Sequence, residues 1–248
     1  MIDESTGIRF EAWVKRFPGV RPGGATVVFP HAGGAAAAYR TFTTALARNG
    51  TDAYLVQYPQ RADRLTHPAA ATIEDLATDL FHAGDWKKVG PLKLFGHCMG
   101  AVVAFEFARI AESAGLTVQQ LWASASQAPS AVAGGPPAPT TDRELLADMV
   151  DLGGTDPRLL ADADFVDLLL PAVRADYQAF NRYSCGRYVA IGADLHTLGG
   201  RSDHRISEDM LQEWKFHTAG AFTLSLFDGG HFYVNDHVDA VAQLIDEC

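Results

Sequence analysis

The pentapeptide GHCMG, residues 96–100, has the residue types of a nucleophile elbow. It follows the apolar run PLKLF and precedes the run AVVAFEFARI, which predicts a strand, a sharp turn and a helix. Glycine on both sides lets neighbouring backbone pack closely against the turn, which lifts the central side chain above the strand end. The helix N-terminus beside Cys98 favours the reactive thiolate. We therefore predict that Cys98 is a nucleophile and not a buried structural cysteine, which is the commoner fate of a lone cysteine.

A nucleophile of this kind needs a base, and His231 is the best placed of the nine histidines. It lies in the segment FDGGHF, directly after the last predicted strand, and follows the nucleophile in the expected chain order. His31 and His97 flank the predicted site but lie in its loop and turn, where we expect them to shape backbone. The remaining six are interpreted as surface histidines: His67, His82, His196, His204, His217 and His237.

The acid that orients the base should follow the preceding strand. Asp203 lies just past that strand in the Gly-rich segment LGGRSDH, ahead of a helix that starts near Ser207. An aspartate there would hold His231 in the correct tautomer and stabilise its imidazolium form. Asp194 is the alternative, but it falls within the strand pattern, and Asp228 is too close in sequence to His231 to approach from another loop.

An oxyanion hole needs two backbone N–H groups. One is expected from Met99, which follows the nucleophile. The other is expected from Ala32 in FPHAGG, the loop after the early strand TVVFP, where two glycines leave room for substrate.

Short β-rich runs alternate with longer helical patterns, which is typical of a mostly parallel sheet flanked by helices. Together with the nucleophile elbow after one of its strands, this predicts an α/β-hydrolase fold. We predict an antiparallel edge strand within Ile8–Phe17. The other predicted strands are Thr26–Pro30, Ala53–Tyr58, Leu92–Phe95, Leu121–Ser124, Val189–Leu198 and Phe222–Phe227. The predicted helices are roughly Ala38–Asn49, Ile73–His82, Met99–Ala114, Glu208–Phe216 and Val234–Asp246.

A helical insertion over about residues 134–185 interrupts this alternation and follows the Pro/Gly hinge GGPPAPT. The segment from Thr141 to Glu144 predicts a capping box for a helix that stops at Gly153. Asp156-Pro157 predicts the start of another helix. Pro171 is expected to end or kink a further helix. We interpret the insertion as a lid over the active site, with an extra packing layer as the alternative.

Composition limits the class of protein. The 248 residues carry a net charge of −10 with 48% hydrophobic residues, which suits a single domain over residues 1–248. An acidic chain without clustered Lys and Arg is not expected to bind nucleic acid or an anionic membrane surface. The N-terminus lacks a signal-peptide pattern, no apolar run is long enough to span a bilayer, and the three cysteines are too widely spaced for a zinc site or a disulfide framework. We expect a cytoplasmic protein, a monomer in the simplest interpretation, without a metal or other cofactor.

The segments PHAGG, GHCMG, GGRSD and GGHFYV together resemble the type II thioesterases associated with nonribosomal peptide and polyketide synthases. The stretch QYPQR (residues 57–61) also resembles that family's YPGR-type segment, with Gln60 where glycine is expected. The resemblance runs from about Thr26 to the C-terminus. It implies hydrolysis of acyl groups from the phosphopantetheine arm of acyl or peptidyl carrier proteins. It also assigns the nucleophile, base, acid and oxyanion donors to Cys98, His231, Asp203, Met99 and Ala32.

The departure from the family is Cys98, because the family usually has serine there. Exchange of one thioester for another leaves the acyl group activated, so an amine, alcohol or second thiol can compete with water for it. Three interpretations stay open: a thioesterase that uses cysteine, an acyl transferase or condensing enzyme, and a serine enzyme in which cysteine was introduced. A general esterase and a non-catalytic binding protein are less favoured, since the residues resemble the thioesterases throughout and all three triad positions are filled.

Overall fold

The computed structural model describes residues 10–247 and is built around one seven-stranded sheet. The strand order is β1-β3-β2-β4-β5-β6-β7; β1 runs antiparallel to β3 and the other neighbouring pairs are parallel. The strands are β1 (Val14–Phe17), β2 (Ala25–Phe29), β3 (Asp52–Val56), β4 (Leu92–His97), β5 (Val118–Ser124), β6 (Asp194–Gly200) and β7 (Phe222–Phe227). The predicted mostly parallel α/β fold is confirmed.

Helices cover both faces of the sheet because the central strands are apolar on both sides. The helices are α1 (Arg40–Asn49), α2 (Ile73–Ala83), α3 (Met99–Ser113), α4 (Asp142–Leu152), α5 (Pro157–Leu160), α6 (Ala163–Asn181), α7 (Glu208–Gln212) and α8 (Val238–Glu247). The alternation is visible in β2, where Val27 belongs to the core shared with α2 and α3, while Val28 belongs to the core shared with α1 and α8. Parallel strands bring their carboxyl ends, and the loops that follow them, to one edge of the sheet.

The predicted edge strand is confirmed for Val14–Phe17, but residues 10–13 form a helical turn, in which Phe10 packs edge-on against Trp86 at 4.9 Å between ring centroids. The part of the prediction at Ile8 lies outside the described residues.

The strand predicted from Val189 starts only at Asp194. The amides of Gly192 and Ala193 donate to the carboxylate of Glu112 at 2.8 and 3.0 Å, so this approach segment is not paired as a regular strand.

The predicted insertion contains α4, α5 and α6. Helices α4 and α6 share a small apolar cluster of Leu145, Met149, Leu170, Val173 and Tyr177, and Leu160 of α5 packs against it. The capping box at Thr141 and the left-handed stop at Gly153 are as predicted. Pro171 was predicted to end or kink a helix; it does not end one, since α6 runs through it to Asn181. Pro171 lies on the exposed side of α6.

Within residues 10–247, every helix is too short or too polar to cross a membrane.

Candidate active site

Cys98 occupies a strained turn between the end of β4 and the start of α3. Its backbone has φ 54° and ψ −124°, in a region that non-glycine residues rarely adopt, and its amide donates to the Ser124 carbonyl at 2.8 Å. The side chain is partly exposed. The turn therefore presents the thiol at the carboxyl edge of the sheet, as an elbow requires.

The two glycines of the elbow are explained by the backbone that crowds them. A Cβ atom at Gly96 would lie 2.3 Å from the Gly100 carbonyl oxygen, and one at Gly100 would lie 2.2 Å from the Phe29 carbonyl oxygen. Real Cβ atoms essentially never approach backbone so closely, so the turn and β2 could not keep their present positions with alanine at either site.

Gly100→Ala is expected to lower the free energy of unfolding by about 1–3 kcal/mol, because rigid backbone must shift to admit the methyl group. Denaturant unfolding measures the loss. Gly134→Ala is the matched control, since a Cβ there meets nothing within 4 Å. Equal stabilities of the two variants would contradict this packing argument.

Asp203 and His231, on the loops after β6 and β7, lie within hydrogen-bond distance of each other. His231 Nδ1 is 2.8 Å from Asp203 Oδ2, and the side chains are 3% and 0% exposed. Asp203 Oδ1 also accepts the amides of Arg205 and Ile206 at 2.9 and 3.2 Å. Burial raises the pKa of Asp203, but the His231 hydrogen bond, its positive charge and the two amides outweigh burial, so the net pKa is lowered. Asp203 is thus held as a carboxylate.

The second ring nitrogen of His231, Nε2, is the atom through which the base would exchange a proton. Burial lowers the pKa of His231, whereas its interactions with Asp203 and with the neighbouring Cys98 raise it, for a net value of about 10. Nε2 is buried and has no hydrogen bond of standard geometry within the described part of the chain. Catalytic hydrogen bonds are often long before substrate binds, so an unpaired Nε2 beside a thiol is compatible with proton transfer between them.

The two alternative acids lie elsewhere. Asp194 starts β6, at the opposite edge of the sheet, and its Oδ1 accepts the Ala221 amide at 2.7 Å. Asp228 has a side chain that is 90% exposed and lies 3.5 Å from Arg201. The structure therefore brings His231 to Asp203 and to neither alternative.

His97 lies against the predicted base. Its ring centroid is 5.3 Å from that of His231, and its Nδ1 is 2.9 Å from Ser124 Oγ, which in turn is 2.7 Å from the Tyr233 hydroxyl. Burial, and then the charge of His231, lower the pKa of His97 well below its ordinary value. This chain of contacts ties the end of β5 to the loop that carries His231. Ser124 and Tyr233 were not predicted as part of the site, although Tyr233 lies in the GGHFYV segment.

His31 is the second histidine beside the site. Its Nδ1 is 2.8 Å from the Tyr39 hydroxyl, and burial, followed by the charges of His231 and Arg61, lowers its pKa to about 3. Of these three neighbouring rings, only His231 has its pKa raised, and burial lowers the pKa of the other two.

The amides of Ala32 and Met99 are available for a ligand. Within residues 10–247 neither N–H donates to another protein group, while the neighbouring Gly34 amide closes a turn onto the His31 carbonyl at 2.9 Å. The Ala32 loop follows β2, and Met99 opens α3 beside it. Two unpaired amides on adjacent loops suit the stabilisation of a developing anion.

A buried ion pair that sequence reasoning missed lies next to this loop. Arg61 and Asp176 form two hydrogen bonds of 2.8 Å, with side chains 7% and 9% exposed. Arg61 belongs to the noted QYPQR stretch, but Asp176 lies on the insertion, where nothing in the local sequence singles it out.

A cavity of about 380 Å³ opens between the Ala32 loop and the insertion. Small residues of the loop line one side, and the other is lined by apolar side chains of the insertion, including Met149, Leu159, Phe165 and Leu168. The cavity suits an apolar group of moderate size. No three His, Cys, Asp or Glu side chains among the described residues are grouped so that they could hold a metal ion.

The sheet order, the elbow after β4 and the helical insertion define an α/β-hydrolase fold. The model of the thioesterase domain family matches residues 26–248, and the chain belongs to that family. The thioesterase family expected from the sequence is thus confirmed.

Two named relatives and one solved structure illustrate the similarity. Phenyloxazoline synthase MbtB of Mycobacterium tuberculosis (strain ATCC 25618 / H37Rv) is 61% identical over 98% of this chain, which covers only 17% of that synthase. Thioesterase PikA5 of Streptomyces venezuelae is 36% identical, over 95% of this chain and 85% of its own length. The structure of the type II thioesterase BorB from the borrelidin biosynthetic cluster superposes with a TM-score of 0.84 at 37% identity, covering 95% of this chain and 97% of its own.

Proposed function

We propose that this chain hydrolyses acyl groups held as thioesters on the phosphopantetheine arm of carrier proteins in natural-product biosynthesis. The observation that carries the proposal is the partly exposed Cys98 thiol at a strained elbow, beside the buried His231–Asp203 pair, in a chain of the thioesterase family. Natural-product biosynthesis is supported as the context by two similar proteins, the thioesterase PikA5 and the type II thioesterase BorB from a biosynthetic cluster. Acyl or peptidyl carrier proteins would be the partners.

Acylation would begin with attack of the Cys98 thiolate on the carbonyl carbon of the substrate thioester. A tetrahedral intermediate forms, and its oxyanion accepts the amides of Ala32 and Met99. When the intermediate collapses, the C–S bond to the pantetheine sulfur breaks and the His231 imidazolium gives that sulfur its proton. Cys98 then carries the acyl group as a new thioester.

Deacylation would reverse these roles. Neutral His231 removes a proton from water, which attacks the acyl carbon, and the same two amides hold the second oxyanion. The C–S bond to Cys98 breaks, the acid leaves and the thiolate–imidazolium pair is restored. Asp203 stays ionised throughout, because its hydrogen bonds hold the carboxylate while it orients the imidazole.

Acyl transfer is the second candidate, and the identity of residue 98 is what favours it. The acyl-Cys98 thioester keeps an activated carbonyl, so an amine, alcohol or thiol that enters the cavity competes with water. The apolar wall of the cavity would hold the acyl group while the insertion acts as a lid over it. The 61% identity to a phenyloxazoline synthase supports including an aryl-oxazoline acyl group among the substrates tested.

Intact-protein mass spectrometry after mixing with acyl-pantetheine or acyl-carrier thioesters tests the proposal. A thioesterase should show an acyl adduct on Cys98 that decays to free acid, with Cys98→Ser as the comparison. An adduct that persists in water and discharges onto an added amine, alcohol or thiol would assign the transferase instead. Absence of any adduct and of any turnover would reject both functions.

A further inference from the structure

A carboxylate from the insertion reaches the loop that carries Ala32. Asp176, on α6, accepts the Gly33 amide through Oδ2 at 2.7 Å, across 143 residues of sequence. Gly33 has φ +76°, and a Cβ atom there would lie 2.5 Å from Val173 Cγ2, one turn earlier on α6. The helix therefore both packs against Gly33 and bonds to its amide.

Arg61 fixes the position of this carboxylate. Besides its two hydrogen bonds to Asp176, the guanidinium donates to the Gly34 carbonyl at 3.3 Å and the Pro59 carbonyl at 2.9 Å. One buried ion pair thus joins the segment after β3, the Ala32 loop and α6. A buried pair with so many satisfied partners holds a single arrangement, since loss of either member leaves a charge unpaired away from water.

Peptide geometry connects these contacts to the direction of the Ala32 amide. The His31 carbonyl is held by the Gly34 amide at 2.9 Å. The His31 carbonyl and the Ala32 N–H belong to the same peptide plane. In a trans peptide these two groups point in opposite directions, so the Ala32 N–H is directed out of the turn. The next peptide plane is set by the bond from the Gly33 amide to Asp176. Asp176 therefore holds one side of the turn, while the bond between the Gly34 amide and the His31 carbonyl closes the other.

We propose that Asp176, held by Arg61, is a positioning residue that orients the Ala32 amide to receive the oxyanion, so that α6 of the insertion completes the oxyanion hole. The inference rests on the proposed function, because it assumes an acyl transition state at Cys98. It assigns to the insertion a part in transition-state stabilisation, in addition to covering the substrate.

Asp176→Ala is expected to lower kcat about 100-fold, the loss typical of one oxyanion donor, while KM changes less than about threefold. Asp176→Asn keeps an oxygen that can accept the Gly33 amide, so its loss should be smaller. The matched control is Asp142→Asn: Asp142 is another carboxylate of the insertion, and its ion pair with Arg174 joins α4 to α6 without involving the Ala32 loop. Its kcat should match that of the wild type.

Alkylation of Cys98 by iodoacetamide separates positioning from a general structural defect. Alkylation passes through no oxyanion, so its rate should stay within about threefold of wild type in Asp176→Ala while acylation by a thioester or an activated ester falls. A parallel fall in both rates, a rise in KM alone, or wild-type kcat in Asp176→Ala would each overturn the proposal. Should Asp176→Ala fail to fold, the same comparison on Asp176→Asn decides it. Failure of the proposed function would instead be seen in the wild type, as absence of thioester turnover, and activated-ester acylation would still test the positioning role.

Discussion

Cys98→Ala is expected to reduce kcat/KM for acyl-pantetheine hydrolysis by about four to six orders of magnitude, because no covalent intermediate can form without the thiolate. Alanine fits the space of the cysteine and leaves the glycines of the elbow in place, so the fold should be retained. Steady-state kinetics measure the loss, and thermal unfolding checks the fold.

Cys185→Ala is the matched control for this variant. Cys185 is also a partly exposed free thiol, but its Sγ donates to the Gly186 carbonyl, away from the His231–Asp203 pair. Its activity should stay within a factor of about two of the wild type. Retention of more than a tenth of wild-type activity by Cys98→Ala would mean that water attacks the substrate directly, which would refute the covalent route.

Asp203→Asn is expected to lower kcat by about 10³–10⁴-fold, because an amide in that position stabilises the wrong tautomer of His231 and no longer balances the imidazolium charge. The same change should lower the pKa of His231, since Asp203 contributes to raising it through a hydrogen bond and through its charge. Kinetics and an NMR titration of the imidazole resonances measure the two effects independently.

Asp228→Asn serves as the control, since Asp228 has the same charge but an exposed side chain near Arg201. Neither kcat nor the pKa of His231 should change in that variant. An Asp203→Asn enzyme that retains wild-type kcat, or whose His231 titrates as in the wild type, would show that Asp203 does not orient the base.

Much of the predicted site depends on short stretches whose residue types can be recognised from the sequence alone. Glycines at 96 and 100 are required because backbone passes within 2.3 Å of where their Cβ atoms would lie, and this requirement is visible as GHCMG without any tertiary information. The order of strands and helices likewise follows from apolar runs and caps, such as Thr141 before α4. One error came where a long-range contact overrode a local pattern: Glu112 accepts the amides of Gly192 and Ala193, and β6 starts only after them.

By itself, the sequence determined the α/β class of fold, the elbow that presents Cys98 and the placement of His231 and Asp203 on successive loops, because each follows from residues within a few positions of one another. Only the tertiary structure decided which acid meets His231, how His97, Ser124 and Tyr233 brace its loop, and that Asp176 contacts the Ala32 loop. Arg61 and Asp176 are separated by 115 residues, and a carboxylate on an amphipathic helix has no local feature that marks its partner. Such pairs form because packing of the insertion against the sheet edge brings two buried charges together, and each charge can be buried only beside the other.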